Sequence, residues 1–340
     1  MAELRTNRQW LLRERPKGPV QESCFEWVET EVGEPAEGQV LVRNLMLSFD
    51  PTQRGWMTKD TYIPKIPLGD VVMAGGVGQV VESRRDGFAP GDLVQGGFGW
   101  QDYALTDGQG LMPMTKLPPG TPPNLALGIL GFTGLTGYFG TLEIGQPKEG
   151  ETFVVSAAAG ATGSVAGMVA KAQGCRVIGI AGGERKCGWL REKGGFDEAI
   201  DYKSEDVEAR LGELCPEGIN IYFDNVGGEI LEAALEHIAQ HARIVLCGAI
   251  SGYEEHDQPP PPKNYFNLVF SQARMEGFLW MTFMPKVREA LAQLSAWHAE
   301  GRVQQLEDIQ EGLENAPRTF MRLFSGANMG KQLLALGDPE

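Results

Sequence analysis

The chain has 340 residues, 42% of them hydrophobic and 22% charged, ordinary values for a globular protein long enough for two domains and a sizeable core. Lys and Arg number 30 against 45 Asp and Glu, a net charge of −15, so nucleic acid and anionic lipid surfaces are excluded as expected partners. Glycine is abundant at 45 residues, but the apolar content is too high for a disordered chain, so the glycines are read as turns and close backbone approaches. No apolar run approaches the ~18 residues of a membrane span, and the N-terminus MAELRTNRQWLLRERPKG lacks an apolar signal core. The cysteines Cys24, Cys175, Cys187, Cys215 and Cys247 are odd in number and scattered. Together these features predict a cytoplasmic protein.

The first 125 residues read as β-rich. VLVRNLMLSFDP, MAGGVGQVVES and GDLVQGGFGWQDYAL are strand-sized pieces broken by Gly and Pro at short spacing, the pattern of a compact, barrel-like β domain. KLPPGTPPN (116–124) is a proline-rich boundary. From about 126 strands and helices alternate. Strands are expected at 152–156, 176–181, 198–202, 219–225, 242–248 and 274–280. The helices between them span 163–173, 184–193, 205–214 and 229–240, and one over 285–300 closes the series. The helix at 229–240 rests on Ile230, Leu231, Ala234, Leu235 and Ile238 at helical spacing. Six strands alternating with helices predict an α/β fold with a doubly wound parallel sheet. The tail carries one short helix in GLENAPRTFMRLFSG and one strand in KQLLAL. That strand needs a sheet to join, and the N-terminal β domain is the expected host.

The first parallel strand runs into AAAGATGSVAG (157–167). Read as G-x-G-x-x-G, the first glycine is replaced by Ala158, with Gly160 and Gly163 in the second and third places. A turn leaving a strand and opening a helix is the context that a dinucleotide fingerprint requires. Gly160 would let the backbone approach a pyrophosphate, Gly163 would let helix and strand pack, and the helix N-terminus would supply N–H donors. NAD-type sites place an acid at the end of the second strand to hold the ribose 2′-hydroxyl. Here the tip reads AGGERK (181–186). Ala181, Gly182 and Gly183 leave room for a 2′-phosphate, and Arg185 and Lys186 can pair with it, which favours NADPH. Glu184 is the contrary residue, placed where a helix start favours an acid.

Only four histidines are present, His237, His241, His256 and His298, and no CxxC or HExxH motif occurs. His237 and His241 stand four apart like ligands on one helix face, but a zinc site needs three or four converging ligands. The pair is read as a helix end before the strand ARIVLCG.

LSFDPTQRGWM, LGILGFTGLTGYFGTLEIGQPKEGET, AAAGATGSVAG, YFDNVGGE, CGAISGY, RMEGF and GLENAPRTFMRLFSGANMGK together resemble the zinc-independent branch of the medium-chain dehydrogenase/reductases. The resemblance is to the group of prostaglandin reductases, alkenal double-bond reductases and bacterial curcumin reductases, and it covers nearly the whole chain. It implies a GroES-like substrate domain from 1–125 and 304–340, a Rossmann NADP-binding domain over 126–303, NADPH as cofactor and a homodimer. It implies that Gly160 lies under the pyrophosphate, that Lys186 holds the 2′-phosphate and that Tyr202 lies near that end. Asn225 would contact the nicotinamide ribose. The run Cys247 to Tyr253, the segment Phe278, Leu279 and Trp280, and Asn328 would line the nicotinamide side.

The sequence departs from the family around the substrate. The usual DPYMR reads DPTQR, so Thr52 replaces a tyrosine that reaches the pocket. The usual LGMPGLTAY reads LGFTGLTGY, with Phe132 and Thr133, and Phe270 stands where some relatives carry a tyrosine. The implied activity is NADPH-dependent reduction of the carbon–carbon double bond of α,β-unsaturated aldehydes and ketones, with hydride added to the β-carbon and an enolate left behind. Tyr253 is the candidate donor to that oxyanion, with an ordinary loop aromatic as its alternative. Other readings are a quinone reductase of the same superfamily and an NADPH-binding protein with little catalysis. An alcohol dehydrogenase fails on the missing metal ligands. The loop 252–263, with Pro259 to Pro262 in a row, is read as a rigid wall of the cleft or of a dimer interface rather than as a partner's ligand.

Overall fold

A computed structural model describes residues 5–110, 112–254 and 260–339. The chain divides into two units, residues 1–127 with 307–340, and residues 128–306. The first segment supplies strands β1 (Thr6–Leu12), β2 (Phe25–Glu31), β3 (Val40–Phe49), β4 (Gly75–Ser83), β5 (Leu93–Gly97), β6 (Tyr103–Thr106) and β7 (Thr115–Lys116), with helices α1 (Gln53–Thr58) and α2 (Pro123–Leu127). The proline run 118–123 thus ends by opening a helix, since a proline at the first helical position lacks only a hydrogen that would go unbonded there.

The middle segment supplies α3 (Phe132–Phe139) and a π turn at Gly140–Gly145. It continues as β8 (Thr152–Val155), α4 (Ala161–Ala172), β9 (Arg176–Ala181), α5 (Glu184–Glu192), β10 (Glu198–Asp201), α6 (Val207–Leu214) and β11 (Ile219–Asp224). Then come α7 (Gly228–Glu236), β12 (Ile238–Leu246), α8 (Asn267–Phe270), β13 (Arg274–Gly277) and α9 (Val287–Ala299). The tail adds β14 (Glu307–Glu311), α10 (Ala316–Ser325) and β15 (Lys331–Ala335).

In the second unit the sheet order is β10-β9-β8-β11-β12-β13, with every neighbouring pair parallel. That is the 3-2-1-4-5-6 order of a dinucleotide-binding sheet, whose order reverses beside its first strand. The inner strands β8, β9 and β11 are covered on both faces, so they read as short apolar runs. Val154, Ile178, Ile180, Ile200, Tyr222 and Ile244 pack against Leu211, Leu231, Ala234 and Leu235 from the helices.

Two expectations shift. Helix α7 ends at Glu236, not at residue 240, because Ile238 already pairs with Ile219 as the first residue of β12. The strand turns at His241, whose φ is +60°, and Ile221 then pairs with Arg243. His237 caps the helix, with its ring against Gly212, so the two histidines do not share a helix face. The sixth strand stops at Gly277, and Trp280–Lys286 forms 3₁₀ turns ahead of α9.

In the first unit the order β14-β15-β3-β4-β5-β7 is antiparallel except for β14 and β15, and β6 pairs with β3. β1 and β2 form a separate antiparallel ribbon. Val40, Val42, Val80, Val94, Phe98 and Ala104 form a core cluster of the larger sheet. As expected for the KQLLAL strand, β15 joins this sheet, with Leu333 opposite Ser48 of β3.

Candidate functional site

The carboxyl ends of β8, β9, β11 and β12 carry the loops on which the sequence reading depends. Gly160 is the N-cap of α4, with extended backbone and no side-chain cap, so the helix N-terminus keeps backbone donors for a ligand. A Cβ on Gly163 would stand 2.4 Å from the carbonyl oxygen of Ala157. Only glycine allows α4 to start so close to the end of β8. The glycine missing at Ala158 is offset on the neighbouring strand, because the Ala158 methyl lies 2.8 Å from where a Cβ on Gly179 would be. Ala157 takes the left-handed φ of +46°, a strained non-glycine conformation of the kind that collects at binding sites.

At the tip of β9 the backbone turns through Gly182 and Gly183, the latter at φ +91°. Lys186 lies half-buried in the first turn of α5. The contrary acid, Glu184, is paired with Arg191 at 2.6 Å. Tyr202 lies beside this turn, its N–H donating to the Ala181 carbonyl at 3.1 Å.

The β11 and β12 loops are held by a buried carboxylate that sequence reasoning missed. Asp224 Oδ1 accepts from Ser156 Oγ at 3.0 Å, Tyr222 Oη at 3.1 Å and the N–H groups of Val226 and Gly227. Its backbone carbonyl accepts from the N–H groups of Cys247 and Gly248 at 2.9 and 3.0 Å. Burial raises the Asp224 carboxyl above its ordinary value, while these donors oppose the rise. One residue therefore fixes the turn carrying Asn225 and the start of the Cys247–Tyr253 run. Asn225 is fixed in turn, its amide donating to the Ser156 carbonyl at 2.8 Å and its own carbonyl accepting from the Ile250 N–H at 3.1 Å. Desolvation pushes the Cys247 thiol up to about 12, so it stays protonated and is no nucleophile at neutral pH. Tyr253 follows the 3₁₀ turn Ile250–Gly252, and its phenol oxygen accepts the Ala249 N–H at 3.2 Å. That contact uses the oxygen as acceptor, not the proton.

Phe132 and Trp280 are brought together, their rings stacked 5.1 Å apart at 19°. Phe278 packs edge-on to Phe223 at 6.4 Å, with Leu279 exposed between Phe278 and Trp280. Phe270 does not join them. It lies on α8 ahead of β13, at the amino ends of the strands, where its carbonyl accepts from Gln240, and it is 69% exposed with its ring against Phe266. Within one chain Phe270 thus precedes β13 and stands apart from the loops that follow the carboxyl ends of the strands.

In the first unit Thr52 stands at the start of α1, where the loop is fixed on three sides. Lys331 Nζ, buried, donates to the Phe49 carbonyl at 3.0 Å and pairs with Asp50. Gln53 donates to the Met73 carbonyl and Arg54 to the Pro16 and Gly18 carbonyls. Asn328 sits in the turn before β15, donating to the Gly330 carbonyl at 3.1 Å. Of the loop 252–263, residues 255–259, with His256 and Pro259, lie outside the described residues. Among the described residues no group of three His, Cys, Asp or Glu side chains is placed to hold a metal ion.

The family described as "N-terminal domain of oxidoreductase" matches residues 8–114, and that described as "Zinc-binding dehydrogenase" matches residues 161–297. The chain is 41% identical over 335 residues to the NADPH-dependent curcumin reductase of Escherichia coli, covering 96% of each. It is 40% identical over 342 residues to the NADP(+)-dependent 2-alkenal reductase of Nicotiana tabacum, covering 98% of each. The crystal structure of CurA from Vibrio vulnificus in complex with NADPH superposes with a TM-score of 0.91 at 40% identity, over 98% of this chain and 100% of that one.

Proposed function

The chain belongs to the medium-chain dehydrogenase/reductase family, in its group of prostaglandin, alkenal and curcumin reductases. From that premise we propose that it reduces the carbon–carbon double bond of α,β-unsaturated aldehydes and ketones with NADPH. The observation that carries the reading is the tip of β9. A turn of two glycines beside Lys186 and Tyr202 stands where an NAD site needs an acid, next to a helix whose first turn only glycine lets approach the strand.

NADPH, when bound, supplies the hydride. The backbone N–H groups following Gly160 hold the pyrophosphate. Lys186 and Tyr202 take the 2′-phosphate end. Asn225, the Cys247–Tyr253 run and Phe278 to Trp280 would take the nicotinamide end, and the family resemblance adds Asn328. The family resemblance assigns substrate contacts to Thr52 and to Phe132. The chain needs no activated nucleophile. Its tasks are to orient the alkene and to stabilise an oxyanion, and Tyr253 is the residue assigned to donate to the carbonyl oxygen.

The protein acts as a cytoplasmic homodimer. Its five cysteines are all free, as a reducing compartment allows, and no helix among the described residues is long and apolar enough to cross a membrane. β13 is an edge strand, and Tyr265, Phe266, Val269 and Phe270 are exposed just before it. An open edge beside exposed aromatics favours a second copy as the covering surface.

The test is NADPH oxidation by the purified protein against 2-alkenals, alkenones, curcuminoids and quinones, with product identification. Saturated aldehydes or ketones as products support the reading. Turnover confined to quinones would reassign the enzyme, and turnover of every class at the level of an empty control would leave an NADPH-binding protein.

A further inference from the structure

The β9 and β10 tips are tied together by one carboxylate. The two strands are parallel, with Asp201 beside Ala181. Asp201 accepts the Gly183 N–H at 2.7 Å, the Lys203 N–H at 3.0 Å and the Ser204 hydroxyl at 2.9 Å. The turn after β10 is thereby drawn against the turn after β9. A Cβ on Gly182 would stand 2.9 Å from Cε of Lys203 and 2.9 Å from the Tyr202 ring. The Lys203 side chain therefore lies across Gly182, with its ammonium one bond beyond the contacting carbon.

The charges around this turn sharpen the point. Glu184 is committed to Arg191, and Glu205 to Arg210 and the Asp201 N–H. Lys203 has no salt bridge among the described residues. The Asp201 carboxyl is held below the ordinary range first by the Gly183 N–H, with the Lys203 N–H, the Ser204 hydroxyl and the Lys203 charge adding to the effect. Besides Arg185 and Lys186 in the first turn of α5, the cation whose side chain crosses this turn is Lys203.

We propose that Lys203 is a second phosphate-binding cation at the Gly182–Gly183 turn and a determinant of NADPH over NADH, with Asp201 as the positioning residue that lays it there. The proposal rests on the placement of the 2′-phosphate at this turn. It also gives Gly182 a role: any side chain there would displace Tyr202 and Lys203 together.

The experiment is calorimetric titration of the full chain with 2′,5′-ADP and with 5′-AMP, which needs no turnover. Lys203 is exposed, so Lys203→Ala should leave the fold intact. It should weaken 2′,5′-ADP by about 5- to 20-fold, a charge-assisted contact discounted for solvent screening, and move 5′-AMP by roughly two-fold at most. Lys203→Arg should restore most of the loss. A Lys203→Ala variant that keeps the wild-type ratio of the two affinities, while Lys186→Ala loses it, removes Lys203 from the subsite. If neither variant changes the ratio, the phosphate does not sit at this turn and both assignments fail.

Discussion

Thr52 Oγ1 and the Tyr62 phenol oxygen lie 3.0 Å apart, so the short residue at the start of α1 holds the side chain of a tyrosine ten positions later. Tyr62 stands edge-on to Trp56, its ring centroid 6.2 Å away at 87°. Burial raises the Tyr62 phenol above its ordinary value and the bond to Thr52 opposes the rise, so it remains a protonated donor at neutral pH. Where the family's loop motif carries a tyrosine, this chain presents a threonine with a phenol bonded to it.

Thr52→Tyr must therefore displace Tyr62 as well as fill space. The expected outcome is higher kcat/KM for short alkenals and lower for bulky enones. Thr52→Val, which removes only the hydroxyl, should lower both by less than about 10-fold, the worth of one hydrogen bond. Unchanged kinetics in both variants would place this loop outside the pocket.

Tyr253→Phe keeps the ring and removes the hydroxyl. Enolate formation concentrates charge on one oxygen, so a donor aimed at it acts on the barrier more than on binding. The single-turnover hydride-transfer rate should fall by about 10²-fold, with NADPH affinity nearly unchanged. Because the same oxygen accepts the Ala249 N–H, a stability loss of about 1 kcal/mol is also expected. A loss of stability with a wild-type rate would make Tyr253 a purely structural residue.

Gly163→Ala is predicted to damage both stability and cofactor binding. The new methyl would meet the Ala157 carbonyl oxygen at 2.4 Å, and that atom is backbone and cannot swing away. The first turn of α4 must lift from β8. Thermal or chemical unfolding should show a loss of about 1–3 kcal/mol, and fluorescence titration should show NADPH binding weakened by at least about 10-fold, a shift near 1.4 kcal/mol. Binding at wild-type strength would mean that the turn does not hold the cofactor.

Acid sensitivity should pass through Glu151. Burial alone would raise its carboxyl, but the Arg243 guanidinium, bonded to both of its oxygens, and the Lys148 N–H hold it below the ordinary value. Arg243 also donates to the Gly145 carbonyl at 2.8 Å, so the pair links the start of β8, the π turn and β12. A depressed folded pKa contributes stability above the unfolded value of about 4.3 that is lost as pH falls through the folded value. Glu151→Gln should cost about 1–3 kcal/mol at neutral pH. The difference from wild type, followed by urea unfolding across pH, should shrink steadily below about pH 4. A difference independent of pH would show that the carboxylate charge is not what stabilises this corner.

The inner parallel strands β8, β9 and β11 are legible because they are buried on both faces, which makes each a short apolar run flanked by glycine or charge. The end of α7 is not. Ile238 continues the helical spacing of Leu231, Ala234 and Leu235, and only its pairing with Ile219 shows that it is a strand residue. The phosphate turn was legible in Gly160 and Gly163. Asp224 is not legible as a hub because it reads as one acid in a loop motif, and its four donors come from the residue after β8, from β11 and from the following turn. Lys203 and Tyr62 were hidden for the same reason: their significance lies in the Gly182 turn and in Thr52, distant or unremarkable in the sequence. β14 is not legible because EDIQE is a polar run, with Ile309 alone among three acids and one glutamine.

The return of β15 to pair with β3 orders how the molecule can be made. Residues 128–306 contain a complete sheet and can close on themselves while the ribosome is still translating the tail. The first 127 residues, though synthesised earlier, must wait. The β3 edge beside Ser48 has no partner until Leu333 has emerged, and the Asp50 carboxylate lacks its buried cation until Lys331 does. The first unit begun is thus the last unit finished, and a stalled or shortened chain leaves an open strand edge exposed throughout that wait.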